Sequence, residues 1–351
     1  MNDLSDLAFQ QQLLEGVSRS FAFTIPELPE ALRNIVTNAY LLFRVADTIE
    51  DENALTIDQK QTFWGELIAA VSESGDPEKL VNDLLPLLSS STSPAERDLI
   101  RHLKQIIHVT RGFHEHEREA LKRSLGIMCS GMGWFQKHRS SQGLRNLAEL
   151  NDYCYYVAGV VGELLTDLFY DYLVETSQTR ATFKKLAISF GQGLQMTNIL
   201  KDLWEDQNRG VCWLPRDVFK AMGFDLARLS RKRYDRGFGR GLSALIAIAH
   251  GHLKNGLTYT LLLPKSEKGL RKFCLWAIGM AILTLRKINR KKDFTAGEEV
   301  KISRRKVKGI MLATRFAGRS NVLLKTLFFL SARGLPDKAF NRYSPFFFFI
   351  G

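Results

Sequence analysis

Helical periodicity runs through almost the whole of this chain and limits its fold more than any other feature. Apolar residues recur every three or four positions, and no alternating run of strand length stands out. The periodic segments are residues 5–16, 30–50, 57–73, 94–110, 115–138, 145–173, 180–206, 241–262, 270–291 and 303–332. The pattern predicts an all-α fold of about ten helices, whose central members are apolar on all sides.

Clusters of turn-forming residues separate these segments, at IPELPE, ESGDPEK, SSSTSP and NRGVCWLPRD. None of the clusters is long enough to be a linker, although 351 residues could make two domains. We therefore expect one helical domain over residues 1–335. An apolar tail, residues 336–351, follows it.

Three carboxylates continue the apolar helix that contains LLFRVADTIEDENA, residues 41–54. Asp47, Glu50 and Asp51 are three and four positions apart, so the helical period predicts that they share one stripe. Like charges placed in this way repel each other unless a positive group lies between them. A single cluster of this kind is typical of a solvated helix end.

A second acidic cluster, Asp202, Glu205 and Asp206 in LQMTNILKDLWED, repeats the D-x-x-E-D spacing after another apolar stretch. Two such motifs favour one shared ligand. Mg²⁺ keeps several waters and is held by one or two carboxylates together with substrate phosphates. The pair of motifs therefore predicts a metal site for a diphosphate substrate.

The formal charge of +12 calls for anionic partners, and the excess is concentrated at RKINRKKDF and VKISRRKVKG. Clustered Lys and Arg suit nucleic acid, but no nucleic-acid motif accompanies them, and we expect no nucleic acid partner. The same charge suits an anionic membrane surface or phosphorylated substrates.

The remaining features bear on location. The four cysteines, Cys129, Cys154, Cys212 and Cys274, lie far apart and predict reduced thiols without a structural metal. The first residues lack the pattern of a signal peptide. FCLWAIGMAILTL is too short to span a bilayer, whereas PFFFFIG in the tail could dip into an interface. We expect a cytoplasmic protein, with peripheral membrane contact on the cytoplasmic face.

Two further stretches suggest a ligand. VSRSFAFTIPELP offers Arg19 between two serines, and an arginine fork suits phosphate oxygens. In DYCYYVAGVVGELL, Gly159 and Gly162 interrupt a helical pattern at a cost of about 1 kcal/mol each relative to alanine. Either close helix packing or a ligand lying against the helix explains these glycines.

The motifs SRSFA, YLLFRVADTIED, YCYYVAGVVG and LQMTNILKDLWED, in this order, resemble those of the squalene and phytoene synthases. The resemblance covers roughly residues 13–315 and implies the all-α isoprenoid synthase fold with a central, helix-lined cavity. KFCLWAIGMAILTL followed by EEVKISRRKV is similar to the squalene-synthase branch rather than to the phytoene synthases.

The resemblance also implies residue roles. Mg²⁺ would be held by Asp47, Asp51, Asp202 and Asp206, of which Asp47 and Asp202 count as catalytic. Substrate would be contacted by Ser18, Arg19, Ser20, Phe21, Tyr40, Arg44, Val157, Val161, Gln195, Asn198 and Lys201. Tyr153 would serve cyclopropane formation and Phe273 the reductive half-reaction. Lys301, Arg304 and Cys274 would contact NADPH.

The chain departs from the family pattern at three positions. Lys201 stands where the family usually has Arg, which keeps the charge but loses the bidentate fork. Val211 follows Gly210 where Arg is usual, and Arg209 could replace that arginine. Ser303 also stands in place of an arginine, in the stretch assigned to the cofactor.

The activity implied is the head-to-head condensation of two farnesyl diphosphates to presqualene diphosphate, followed by NADPH-dependent reduction to squalene. Two enzymatic alternatives remain: phytoene or dehydrosqualene synthesis, and a synthase that stops at presqualene diphosphate. The alternative from another class is a basic helical protein that binds nucleic acid or membrane, but it leaves both acidic motifs unexplained.

Overall fold

The fold is known from a computed structural model, which describes residues 3–18, 20–173 and 179–337. The helices are α1 (Asp3–Val17), α2 (Phe21–Thr24), α3 (Glu30–Asp51), α4 (Ile57–Val71), α5 (Pro77–Leu84), α6 (Pro94–Arg101), α7 (Leu103–Arg111), α8 (Glu115–Lys137), α9 (Leu147–Cys154), α10 (Val160–Tyr172), α11 (Arg180–Lys201), α12 (Leu203–Asn208), α13 (Arg216–Ala221), α14 (Arg236–Leu262), α15 (Lys268–Arg290), α16 (Gly297–Val300), α17 (Arg304–Ala317) and α18 (Asn321–Ala332). No strand lies within these described residues; one backbone bridge joins Leu144 to Pro215. The predicted all-α class is confirmed.

The described residues fall into two compact units, within Met1–His138 with Glu163–Arg180 and within Arg139–Gly162 with Ala181–Gly351. The first unit is built around α3, which packs against α1, α4, α6, α7 and α8. Most of α3 is buried because its apolar residues lie on several faces, as predicted for a central helix.

A buried polar network fixes the position of α3 in the first unit. The Asn38 side-chain amide donates to Gln10 at 2.8 Å and to the backbone oxygen of Ile106 at 2.9 Å. The Thr110 hydroxyl donates to the Asn38 oxygen at 2.9 Å. Because each buried polar group has a partner, the network positions α3 without a desolvation penalty.

The second unit is built around α14 and α15, against which α17 and α18 pack. Arg271 is fully buried and donates to the side-chain oxygen of Asn321 at 2.5 Å. The Trp276 indole donates to the Thr314 hydroxyl at 2.7 Å, joining α15 to α17. These bonds link the C-terminal helices to the core of the unit.

Several predicted segments differ from the helices observed. The segments 94–110, 180–206 and 303–332 are each divided, at His102, Asp202 and Gly318 respectively. The segment 145–173 contains a π-helical turn, Tyr155–Gly159. Periodicity alone does not detect such interruptions, because the apolar residues on either side stay nearly in phase.

The segment ESGDPEK, predicted to be a break between helices, contains the start of α5, and this prediction is wrong. Asp76 caps α5, accepting a hydrogen bond from the Glu78 backbone nitrogen at 2.8 Å, and Pro77 occupies its first turn. A proline at this position favours the start of a helix, because the nitrogen there needs no partner within the helix.

The structure also bears on the membrane and cysteine predictions. Each helix within the described residues is too short or too polar to cross a bilayer. All four cysteines are buried free thiols. The tail predicted from residue 336 lies outside the described residues beyond Asp337, and the single-domain boundary at residue 335 stays a prediction.

Candidate active site: two acidic motifs

The first acidic motif lies on a partly accessible stripe of α3. Tyr40, Arg44, Asp47 and Asp51 follow one another at intervals of three or four residues, and all four keep access to solvent between buried neighbours. The structure therefore brings four of the predicted site residues onto one helix face.

Arg44 lies between Tyr40 and Asp47. Its Nη2 atom donates to the Tyr40 hydroxyl at 3.1 Å, and its Nη1 atom lies 3.9 Å from Oδ2 of Asp47. Burial disfavours the charged form of Arg44 and by itself would lower its pKa. The nearby Asp47 and Tyr40 outweigh this effect and raise the pKa of Arg44. Arg44 is thus a permanent cation beside the first aspartate of the motif.

Asp47 keeps 38% of its side chain accessible to solvent. Burial raises the pKa of Asp47 to about 6; Arg44 opposes this shift, while Asp51 and Glu96 reinforce it. The protein alone therefore compensates the charge of Asp47 incompletely. Glu96, on α6, contributes to this field and has no signal in the sequence.

Glu50 does not share the accessible stripe, and the predicted grouping of all three carboxylates is wrong. Its side chain is buried and accepts a hydrogen bond from the Gln136 amide at 3.1 Å. Burial, reinforced by Asp51, raises the pKa of Glu50 to about 8 despite Gln136. Glu50 is therefore protonated at neutral pH and braces α3 against α8.

The loop before α3 contributes the next predicted residues. The Phe21 backbone nitrogen donates to the Ser18 hydroxyl at 2.9 Å, and the rings of Phe21 and Tyr40 lie 5.0 Å apart. Ser20 precedes α2 without capping it. The structure thus places Phe21 beside the α3 stripe, whereas Arg19 lies outside the described residues.

The second acidic motif lies where α11 ends and α12 begins. Asp202 adopts φ −96° and ψ 13°, which interrupts the helix, and its Oδ2 atom lies 2.8 Å from Nζ of Lys201. Gln195 and Asn198 precede Asp202 by seven and four residues, so the three share one face of α11. The second motif therefore also has a cation beside its first aspartate.

Glu205 faces away from this stripe. Its Oε1 atom accepts a hydrogen bond from the Gly297 backbone nitrogen at 3.0 Å, at the start of α16. Asp206 lies one turn beyond Asp202, whose backbone oxygen accepts a bond from the Asp206 nitrogen at 2.9 Å. Asp202 and Asp206 are thus one turn apart, while Glu205 binds the backbone at the start of α16.

The turn after α12 contains the family's missing arginine position. Gly210 has φ +77°, a conformation that favours glycine, and Val211 is buried. Arg209 is exposed at the end of α12. Val211 therefore supplies no cation here, and the replacement of the missing arginine by Arg209 stays a prediction.

The segment YCYYVAGVVG contributes a tyrosine to a buried aromatic stack. Tyr153 packs against Trp213 with ring centroids 3.9 Å apart and planes 11° apart. Val157 lies in the π-helical turn and Val161 in the first turn of α10, both half-buried. π-helical turns are frequent at functional sites, and neither this turn nor Trp213 was found from the sequence.

Close helix packing explains the glycines in and around this segment. A Cβ atom on Gly162 would lie 2.5 Å from the backbone oxygen of Ala187, and one on Gly191 would lie 2.4 Å from that of Ala158. Helix α11 therefore contacts the backbone around the π-helical turn directly, and a larger residue would separate the two.

The residues predicted to serve the cofactor lie in two places. Phe273 and Cys274 are buried on α15, and burial raises the pKa of the Cys274 thiol to about 12 although Thr260 opposes this. Lys301 lies before α17 and pairs with Glu298 at 2.7 Å. Arg304 is exposed at the first position of α17.

The donor set of each motif suits Mg²⁺ as a partial site. Within the described residues no group of three or more His, Cys, Asp and Glu side chains could hold a metal alone. Two aspartates per motif match a Mg²⁺ ion that takes its other ligands from water and phosphate. The raised pKa of Asp47 fits this, because a divalent cation would compensate its charge.

Several known proteins are similar to this chain. Squalene synthase from Eremothecium gossypii is 29% identical over 276 residues, which are 78% of this chain and 60% of that protein. A ligand complex of TcSQS matches with a TM-score of 0.74 at 24% identity, covering 96% of this chain and 95% of that one. A dehydrosqualene synthase complex matches with a TM-score of 0.67 at 19% identity, covering 90% and 98%.

The structural matches define the class: an all-α protein with the isoprenoid synthase fold. The sequence matches the squalene/phytoene synthase family over residues 14–306, and the chain belongs to this family. It spans about 60% of the length of the first curated relatives that it matches.

Proposed function

We propose that this protein is a squalene synthase, which joins two farnesyl diphosphates head to head and reduces the product with NADPH. The observation that carries the proposal is the pair of D-x-x-E-D motifs, each with a cation beside its first aspartate. Two further supports are the family match and the relatives named squalene synthase. A protein that only bound an anionic surface would need neither motif.

The first step is the loss of diphosphate from one farnesyl chain, which breaks an allylic carbon–oxygen bond and leaves an allylic cation. Asp47, Asp51, Asp202 and Asp206 would hold Mg²⁺, which supplies Lewis-acid stabilisation of the leaving diphosphate. Arg44 and Lys201 add their own positive charges to the diphosphate. Tyr40 orients the Arg44 guanidinium through its 3.1 Å hydrogen bond.

The cation must then be protected from water until the double bond of the second farnesyl chain attacks it. Loss of a proton from the adduct closes the cyclopropane of presqualene diphosphate. Aromatic faces stabilise a nearby cation by about 0.5–2 kcal/mol each. Phe21, Tyr153 and Phe273 are the side chains for this role, and the stack on Trp213 holds Tyr153 in place.

In the second half-reaction presqualene diphosphate loses its diphosphate and the rearranged cation accepts a hydride. NADPH supplies that hydride when bound. Lys301 and Arg304 would hold its phosphates, and the pair between Lys301 and Glu298 would open to admit them. A phosphate group of NADPH would then replace the Glu298 carboxylate as the partner of Lys301.

Product analysis tests the proposal. With farnesyl diphosphate and Mg²⁺, the protein should accumulate presqualene diphosphate without NADPH and form squalene with it. If presqualene diphosphate persists at saturating NADPH, or if a conjugated triene forms instead, the squalene assignment fails and only the coupling reaction remains.

The variant Lys301→Ala isolates the reductive half. It should raise the apparent KM for NADPH about tenfold while leaving the rate of presqualene diphosphate formation unchanged, since Lys301 contributes to binding. Lys306→Ala, a change at an exposed cation on the next turn, serves as the matched control. Equal effects of the two substitutions would remove Lys301 from the cofactor site.

A further inference from the structure

The outer face of α18 is strongly apolar and exposed. Val322, Leu323, Phe329 and Leu330 lie within one arc of this helix, with exposed fractions of 73%, 52%, 71% and 53%. Leu312 on α17 is 57% exposed. Of the nine large apolar side chains exposed in the described part of the chain, these are five. Such a concentration marks an interaction surface.

The inner face of α18 is fixed to the second unit, so the helix cannot turn to hide this surface. Leu324 is buried against Leu257 and Leu275, and Leu327 and Phe328 pack on the same cluster. Ser320 caps the helix, accepting a hydrogen bond from the Leu323 nitrogen at 3.3 Å. The exposed side chains are therefore held in an outward position at no cost to the core.

Positive charge surrounds the apolar face. Residues 301–336 contain nine Lys and Arg and no Asp or Glu. An exposed stripe along α17 and the turn after it consists of Arg305, Lys308, Leu312, Arg315 and Arg319. Lys325 is exposed on α18 itself. Lys301 pairs with Glu298, whereas within the described residues the cations of this stripe and Lys325 form no ion pair.

The apolar face of α18 and the positive charge around it together favour one kind of partner. A second copy of the same surface would bring like charges together, and a nucleic acid would leave the leucines and phenylalanines without apolar contacts. An anionic bilayer matches both features of the surface, because its headgroups attract the cations and its acyl chains accept the apolar side chains. We propose that α17 and α18 form a membrane-binding surface for anionic lipid bilayers, with α18 lying in the plane of the interface.

The size of the helix fits this placement. With twelve residues α18 cannot cross the hydrocarbon core, but it can bury one apolar face at the boundary of headgroups and acyl chains. The surface involves neither acidic motif, so it can be tested independently of the proposed activity.

A fluorescent probe tests insertion directly. All four native cysteines are buried, so Leu330→Cys introduces a thiol that an environment-sensitive dye labels selectively. Addition of vesicles containing phosphatidylglycerol should raise and blue-shift the emission, whereas phosphatidylcholine vesicles should have little effect. Leu87→Cys, at an exposed leucine of the first unit, is the matched control and should not respond. A response equal at both positions, or at neither, would overturn the proposal.

Vesicle sedimentation separates the two components of binding. The variant Val322→Gln, Phe329→Gln, Leu330→Gln should lower the fraction bound to anionic vesicles at least tenfold, with an unchanged melting temperature. The variant Arg315→Gln, Arg319→Gln, Lys325→Gln should weaken the salt dependence of binding and lower the fraction bound about as much, since three of the cations of this surface are removed.

To distinguish binding by α18 from binding by the tail, each variant is made with and without residues 338–351, the part of the tail beyond Asp337. The proposal requires the α18 variant to lose binding in both backgrounds. Binding that depends only on the tail would overturn it. So would a dimer in solution that the glutamine variant dissociates without any effect on vesicle binding, because this would assign the face to a second copy.

Discussion

The two acidic motifs share their spacing but differ in structure. In the first, α3 runs without a break through Asp47, Glu50 and Asp51; in the second, the helix is interrupted at Asp202. In both, the first aspartate lies beside a cation, Arg44 or Lys201, and the glutamate turns away. The comparison teaches that the same spacing places a glutamate in a supporting role in both motifs, while the proposal assigns the two aspartates of each motif to the ligand.

The two glutamates provide support in different ways. Glu50 is buried as an uncharged carboxyl beside Gln136, whereas Glu205 accepts a hydrogen bond from a backbone nitrogen of another loop. A spacing of residues along a helix determines which side chains are neighbours, but the surrounding elements determine their protonation and partners.

The largest expected effect comes from the aspartates. Asp47→Asn and Asp202→Asn should each reduce the coupling rate more than about a hundredfold, a loss of about 2.7 kcal/mol of transition-state stabilisation. Circular dichroism should remain helical. Asp47→Asn should also raise the melting temperature, because the folded protein disfavours the charge of Asp47. Retention of a tenth of the activity in either variant would remove that residue from the site.

A second test sets the glutamates against each other. Glu205→Gln should lower the free energy of unfolding by about 1–3 kcal/mol, because an amide oxygen accepts the hydrogen bond from the Gly297 nitrogen less strongly and the amide NH2 group takes the buried place of Oε2. Glu50→Gln should have little effect at pH 7, where Glu50 already carries a proton. Denaturant unfolding measures both, and equal losses would contradict the assigned difference.

Acid should weaken the second unit before the first. Burial lowers the pKa of His252 to about 3, although a hydrogen bond with Ser189 opposes this. The unfolded chain therefore takes up this proton first, and stability is lost as pH falls from about 6.5 towards 3. In the first unit, burial of Glu52 is outweighed by hydrogen bonds from Ala54, Thr92 and Ser89, which lower its pKa to about 2. That contribution is lost only below about pH 4.5.

Hydrogen exchange measures this difference. Between pH 7 and pH 5.5, corrected protection factors in α14 should fall roughly tenfold. Those in α3 should not fall, because the raised pKa values of Asp47 and Glu50 make proton uptake stabilising in the folded state. His252→Asn should weaken the pH dependence of α14, and the part that remains should come from His250, whose pKa burial also lowers. A parallel fall of protection in both helices would show that the two units do not differ in this respect.

The smallest expected effect concerns the cations. Lys201→Arg should change the KM for farnesyl diphosphate by less than about threefold, because the charge is kept and a fork is added. Arg44→Lys should raise it about tenfold, because the hydrogen bond to Tyr40 is lost as well. If Lys201→Arg proved as harmful as Arg44→Lys, the two cations would not be equivalent partners of the two motifs.

The sequence alone determined the fold class, the family and the stripes on which the aspartates lie. The fold class and the stripes are consequences of periodicity and local spacing, since residues three or four apart on a helix are neighbours whatever surrounds them. The shared stripe of Asp47 and Asp51 followed from this rule. The family, and with it the roles of Tyr40, Arg44, Gln195 and Asn198, followed from the resemblance of the motifs.

Only the tertiary structure decided what those residues contact. Glu50 met Gln136, 86 positions away, and Glu205 met Gly297, 92 positions away. The stack of Tyr153 on Trp213, the raised pKa of Asp47 and the exposure of one face of α18 likewise depend on distant elements. Burial and long-range contacts set the cost of a charge and the fate of an apolar face, and neither is encoded in local spacing.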